Sequence, residues 1–335
     1  MRGPVCQDRS SVQSWLGIDS RARRSFCVHA TCGNADYGMT AEAANSEEQW
    51  DHGNYCVSFI DLLGQRDALR GQSLLPTLDS PEQRKSFNKI LRATTGAIID
   101  LQEAASAIIE EYSRPRLDSP FRQTLPPDKY ATWDSLNKTN IHTQRWSDGL
   151  VVFTPLGSTE IRCPMNAIFG ILSASGMLCL RGLARGNPLR GGIEISWGVE
   201  IHRGELNGAA VSRAYELESL IAQYPRIVVG DEAVKLLQAN SCHEADDIFS
   251  QHNRRLAKLC LSMLIKDADG YWMLDFLGNG FQNAVTGEKH VTLYTDARRY
   301  ILEQLDKFQA ERNSKLAFRY VNLLQYFDEY GIDAP

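Results

Sequence analysis

The chain has 335 residues, 43% of them apolar, a formal net charge of −5 and a pI near 5.9. That is enough apolar chain to bury a sizeable core, in one large domain with appendages or in two modest ones. The acidic balance excludes a polyanion-binding surface spread over the molecule, because a nucleic-acid partner needs clustered Lys and Arg to displace counterions; a small anionic ligand held through metal ions remains compatible with it.

Residues 1 to 50 mix Arg, Ser, Gly and Asp without sustained periodicity, apart from a short helical pattern at Ser11–Leu16, and are predicted to form a partly ordered arm. No apolar signal-peptide core is found there. The eight cysteines are scattered, and Cys56 and Cys179 sit in apolar runs, which predicts reduced thiols and a cytoplasmic protein. Cys27 and Cys32, with His29 between them, lack the second pair that a zinc site requires.

The run Cys56–Gly64 reads as the first strand, with Val57, Phe59 and Asp61 on one face. Asp79-Ser80-Pro81-Glu82-Gln83 then supplies an N-cap Ser, a first-position Pro and a capping Gln. Apolar residues at helical spacing from Phe87 to Tyr112 predict one long helix that ends before Pro115. Pro115, Pro120, Pro126 and Pro127 mark a loop of about 20 residues. Ile141–Phe153 reads as two strands joined by a tight turn at Asp148-Gly149. From Cys163 to Leu180 there is no charged residue; the segment is barely long enough to span a membrane, and Ser173, Ser175 and two glycines favour a buried helix from about Met165 to Leu183.

A strand with glycine interruptions follows at Pro188–Ile201, then a tight connection at Arg203–Gly208 and a helix over Ala209–Ile221. The helix N-terminus is predicted to face the site, where it would suit phosphate oxygens. Arg226–Gly230 and Tyr271–Leu277 read as strands, Asp231–Leu237 as a short helix, and Asp296–Tyr330 as mainly helical. The order strand, helix, hairpin, helix, strand predicts an α+β fold with a ferredoxin-like β-α-β-β-α-β sheet. The predicted organisation is an arm (1–50), a catalytic domain (51–240) and a late strand pair with a helical extension (241–335).

A carboxylate at the end of a buried strand calls for a compensating cation or hydrogen-bond donors. If the hairpin lies beside the first strand, Asp61 meets Asp148, and two carboxylates brought together make sense around divalent cations that hold a nucleoside triphosphate. Each residue also has a plainer reading, Asp61 as a strand-end cap and Asp148 as an ordinary hairpin residue.

Taken together, Phe59-Ile60-Asp61-Leu62-Leu63-Gly64, Ser147-Asp148-Gly149 and Gly204–Gly208 through Leu217-Glu218-Ser219 resemble the class III nucleotidyl cyclases over roughly residues 55 to 237. Within them the resemblance points to the pyrimidine cyclases of bacterial anti-phage Pycsar systems. It implies that Asp61 and Asp148, with the backbone carbonyl of Leu62, hold two Mg²⁺ or Mn²⁺ ions. Phe59 and the turn Leu63-Gly64-Gln65 would face the substrate, with the turn offering N–H groups to the phosphates. Gln144 and Glu205 fall where the purine enzymes read the base. Gln144 is neither the Lys of the adenylyl type nor the Glu of the guanylyl type, and its amide suits a pyrimidine edge.

Ser212 and Glu216 stand where the family carries its transition-state Asn and Arg, so Arg213, or Arg190 from the neighbouring strand, is the candidate to reach the phosphates. The resemblance further implies a head-to-tail homodimer with shared active sites. It implies conversion of UTP, less readily CTP, to a cyclic monophosphate that a separate effector protein reads, with no nucleic acid and no membrane involved. The alternatives are a purine cyclase and a non-catalytic nucleotide-binding dimerisation module.

Overall fold

The structure is a computed structural model and describes residues 52–65, 69, 76–114, 117, 120–157, 161–244, 247–287 and 291–332. The N-terminal arm, its short helical pattern and the Cys27–Cys32 pair lie outside the described residues.

Strand β1 is Gly53–Leu62. Ser80 caps α1 (Pro81–Leu91) reciprocally with Gln83, as Ser80-Pro81-Glu82-Gln83 predicts. A π-helical turn at Arg92–Gly96 joins α1 to α2 (Ala97–Ser113). Only α2 packs as the periodicity predicts: it buries Leu101, Ala105 and Ile109, whereas α1 buries nothing and Leu91 is exposed. The extra residue of the π turn rotates the apolar stripe by roughly 100°, so the two halves cannot face one surface.

The expected proline loop is largely helical where it is described. Pro120 opens α3 (Pro120–Gln123), and Pro127 opens a 3₁₀ turn (Pro127–Lys129) that runs into α4 (Tyr130–Leu136). Proline lacks an N–H that a first helical turn does not need, so here it starts helices.

Then come β2 (His142–Trp146), β3 (Gly149–Pro155), α5 (Pro164–Ala184), β4 (Leu189–His202) and β5 (Glu205–Asn207). Helix α6 (Ala209–Glu216) continues as a π segment, Leu217–Ile221, before β6 (Ile227–Val229) and α7 (Asp231–Cys242). Helix α8 (Ile248–Ser262), which the sequence reading did not anticipate, buries only Leu256, Ala257 and Cys260. The chain ends with β7 (Leu264–Lys266), β8 (Trp272–Leu274), the short α9 (Asn279–Phe281), α10 (Val291–Ala310) and α11 (Ser314–Glu329).

The fold is α+β. Its sheet runs β2-β3-β1-β4-β6-β8-β7, with β5 pairing β4. Neighbours among the first four strands are antiparallel, and β6 joins β4 in parallel, with Gly191 opposite Ile227. Helices α2 and α5 cover one face, and the apolar cluster there extends from Cys56 through Leu180 to Phe327, so β7, β8, α10 and α11 share a core with β1. Helix α6 covers part of the other face, over Val57, Phe59, Val151 and Phe153.

The uncharged run became α5, a core helix with 78% of its most apolar window buried. Ser175 is satisfied inside the protein, donating to the Ile171 carbonyl at 2.7 Å and pairing with the Ser58 hydroxyl at 2.9 Å, whereas the buried Ser173 hydroxyl has no hydrogen-bond partner.

Candidate active site

Alternation along β1 puts Asp61 on the same face as Tyr55, Val57 and Phe59, the face that α6 covers. The register sets Asp61 opposite Gly149 on β3 and opposite Arg190 on β4. Asp148 precedes Gly149, so both aspartates occupy one end of the sheet. The turn lies one residue earlier than the dipeptide rule predicts: it is Ser147-Asp148, with Ser147 left-handed at φ 52°, and Gly149 is the first residue of β3. Gly149 is required for closeness instead: a Cβ there would stand 2.8 Å from the Ile60 carbonyl oxygen and 3.6 Å from Asp61 Oδ1.

A third carboxylate joins them. Glu218, 1% exposed on the π segment after α6, touches Arg190 Nε in an ion contact that lacks hydrogen-bond geometry. Arg190 Nη2 is also 3.8 Å from Asp61 Oδ2. Glu218 reaches this position because the helix lies directly on Gly192, where a Cβ would meet the Ala214 carbonyl oxygen at 2.3 Å. Burial pushes the Glu218 carboxyl up to about 7; Arg190 opposes the shift, and the charges of Asp61 and Asp148 add to it. Among the described residues, with all three acids ionised, these three carboxylates are set against one guanidinium, a surplus of two negative charges. Among the described residues no three His, Cys, Asp or Glu side chains converge as a complete metal-ligand set.

The turn after β1 is only partly available to an anion. The Leu63 N–H is already donated to the Pro188 carbonyl at 2.9 Å, and the Gln65 side chain is buried, donating to the Ala93 carbonyl at 3.3 Å. Gly64, at φ 90° with open space around its Cβ position, remains accessible.

No family model, curated protein or solved structure matches this chain. What the site can do therefore rests on its own geometry. Gln144 and Glu205 are neighbours, since Gln144 Oε1 accepts the Leu206 N–H at 3.1 Å. They stand apart from Asp61: Gln144 is on β2, two strands from β1, and β5 pairs with the Val199–His202 end of β4, remote from Arg190. Phe59 is buried, edge-on to Trp146 at 6.0 Å and to Tyr215 at 5.2 Å, so its ring is core and not an open substrate contact.

The start of α6 does not face the aspartates. Gly208 packs on Gly198, and Gly198 pairs with Gly53 at the far end of β1, eight residues from Asp61, roughly 26 Å at about 3.3 Å per residue. It is the π segment beyond the end of α6 that reaches Asp61. Ser212 and Arg213 are exposed, and the charge of Arg213 is felt by Glu194, four residues along β4 from Arg190. The guanidinium at the acidic site is thus that of Arg190.

The sequence reading missed Glu218 as a site residue. A helical projection contains the signal, because Ala210, Val211, Ala214, Leu217 and Glu218 recur at helical spacing and place this acid on the buried stripe. It also missed Glu194, a buried carboxylate that accepts the Ala233 N–H at 3.0 Å and so caps α7 from outside the helix.

Proposed function

We propose that the protein is a pyrimidine nucleotide cyclase that converts UTP, and less readily CTP, to the 3′,5′-cyclic monophosphate and pyrophosphate, the product acting as a second messenger in anti-phage defence. The observation that carries this reading is the register pairing Asp61 with Gly149, which brings both motif aspartates to one sheet end within a β-α-β-β-α-β order of ferredoxin-like type.

The donor set suits Mg²⁺ or Mn²⁺: two carboxylates and the Leu62 carbonyl are hard oxygens, and Mg²⁺ fills the rest of its shell with water and substrate phosphates. Bound there, two such ions supply Lewis acidity toward the ribose 3′-hydroxyl and neutralise the leaving pyrophosphate. Arg190 is the chain's own cation for the phosphates, held ready by Glu218. Because Gln144 Oε1 is engaged by Leu206, its Nε2 is left to donate. Uracil presents an acceptor oxygen where cytosine presents an amino donor, which favours UTP.

The separation of Gln144 and Glu205 from Asp61 supports shared sites in a head-to-tail homodimer, each chain reading the base for its partner's carboxylates. The exposed Trp146, Tyr215 and Leu220 supply apolar surface for a second copy. A nucleotide-binding module without turnover is the second reading, favoured by Ser212 and Glu216 where the cyclases carry Asn and Arg.

Incubating the purified protein and Mn²⁺ with each of the four triphosphates separates these readings. The expected product is cyclic UMP, falling by at least about a hundredfold in Asp61→Ala and in Asp148→Ala. A cyclic purine alone would overturn the base assignment, and metal-dependent binding without any cyclic product would select the module.

A further inference from the structure

On the helical side of the molecule, α4 and α8 border a cavity of about 750 Å³. Helical spacing builds its walls: Thr132, Trp133 and Leu136 continue a stripe from Lys129, and Ile248, Gln251, Arg255 and Lys258 form the stripe on α8. Trp133, Leu136 and Ile248, with Leu125, make the lining apolar. Lys129, Arg254, Arg255 and Lys258 add four cations, and among the described residues no carboxylate lines the cavity.

Nearby acids are committed elsewhere. Asp134 takes two hydrogen bonds from Arg122, at 2.8 and 3.0 Å, and Asp247 caps α8 by accepting the N–H groups of Phe249 and Ser250. Asp128, 3.8 Å from the exposed Lys129, is the only carboxylate in an ion pair with any of the four cations among the described residues. Like charges gathered around an apolar lining repel one another, and an anion among them relieves that repulsion.

The cavity volume lies within the usual range for small-molecule sites, about 300–1,000 Å³. Trp133 offers an aromatic ring for a flat apolar body, and the guanidinium and ammonium groups offer charge-assisted hydrogen bonds to phosphate oxygens. We infer that this cavity binds a nucleotide, with its base against Trp133 and its phosphates among Arg254, Arg255 and Lys258.

The site is separate from Asp61. Asn166, near the start of α5, donates to the Leu136 carbonyl and stands 3.3 Å from His252 Nε2 at the cavity. Gly182, near the other end of α5, abuts Leu189, the residue opposite Leu62. Along the helix Asn166 and Gly182 are about 24 Å apart, at about 1.5 Å per residue. Binding here needs no divalent cation, since the protein supplies the positive charge.

Fluorescence anisotropy of a methylanthraniloyl-labelled nucleoside diphosphate, titrated with the full-length protein in EDTA at low salt, tests the inference. Saturable binding is expected for wild-type and Asp61→Ala protein alike. The pair Arg255→Ala and Lys258→Ala, both at exposed positions and so compatible with an unchanged circular dichroism spectrum, should weaken it by at least about tenfold. Unlabelled diphosphate should compete, and equimolar inorganic phosphate should not. No saturable binding in EDTA, binding lost in Asp61→Ala but kept in the double variant, or equal competition by inorganic phosphate or by oleate would each overturn it. The EDTA condition keeps this outcome distinct from failure of the metal-dependent cyclase reading.

Discussion

Arg190 stands near the start of β4 and Arg226 just before β6, on neighbouring strands. Arg226 is 2% exposed and bonded through both terminal nitrogens, with its Nε left without a hydrogen-bond partner: it pairs with Asp267 and Asp269, donates to the Ile221 carbonyl at 2.8 Å and lies 4.6 Å from the Tyr224 ring centroid. Its network ties the end of the π segment to the β7–β8 turn. Burial works against ionisation of Asp269, yet the bond to Arg226 holds its carboxyl below the usual value. At Arg190 the balance is reversed, because the nearest carboxylate, Glu218, is pushed up to about 7 by burial, with Asp61 and Asp148 adding to the shift. The Arg226 cluster sets one guanidinium against two carboxylates, a surplus of one negative charge. Among the described residues the Asp61 end, with all three acids ionised, sets one guanidinium against three and leaves more negative charge over, which is what a cation-binding site requires.

The largest expected effect is at the Arg226 cluster. Arg226→Met removes the partner of two carboxylates and a carbonyl, and the cation over the Tyr224 ring, and should lower stability by about 3 kcal/mol or more, read as a drop in the urea midpoint. An unchanged midpoint would erase the contrast between the two arginines.

A smaller effect belongs to Glu218 and carries a sign. Its carboxyl rises from 4.5 to about 7 on folding, so within that window the folded protein holds a proton that the unfolded chain has lost. The group's contribution to stability is therefore fully present below pH 4.5 and is lost as pH rises through 7. Glu218→Gln should flatten the stability profile across this range, by an amount of order 3 kcal/mol. Parallel profiles for variant and wild type would show that Glu218 is not held in this state.

Several parts of this site were legible in the residues. The apolar alternation of Val57, Phe59 and Asp61 located the face, and Asp148-Gly149 located the hairpin to within one residue; the slip arose because Ser147 adopts the left-handed conformation that the rule assigns to glycine. The direction of α6 was also implied: β4 runs antiparallel to β1, so a helix that follows its far end must begin away from Asp61. Placing a helix N-terminus at the aspartates overlooked that constraint. Helix α8 was illegible because so little of it is buried, and the π turn at Arg92–Gly96 leaves no periodic trace that separates it from an ordinary helix.

The surplus negative charge at the end of β1 is most directly tested by Mn²⁺ titration of the full-length protein with 3′-deoxy-UTP, which cannot cyclise, followed by electron paramagnetic resonance. Bound Mn²⁺ is expected in the wild type, with affinity lower by at least about tenfold in Asp61→Asn and in Asp148→Asn at unchanged fold. Absence of bound Mn²⁺ in the wild type, or equal binding in both variants, would contradict the assignment of Asp61 and Asp148 as a divalent-cation site.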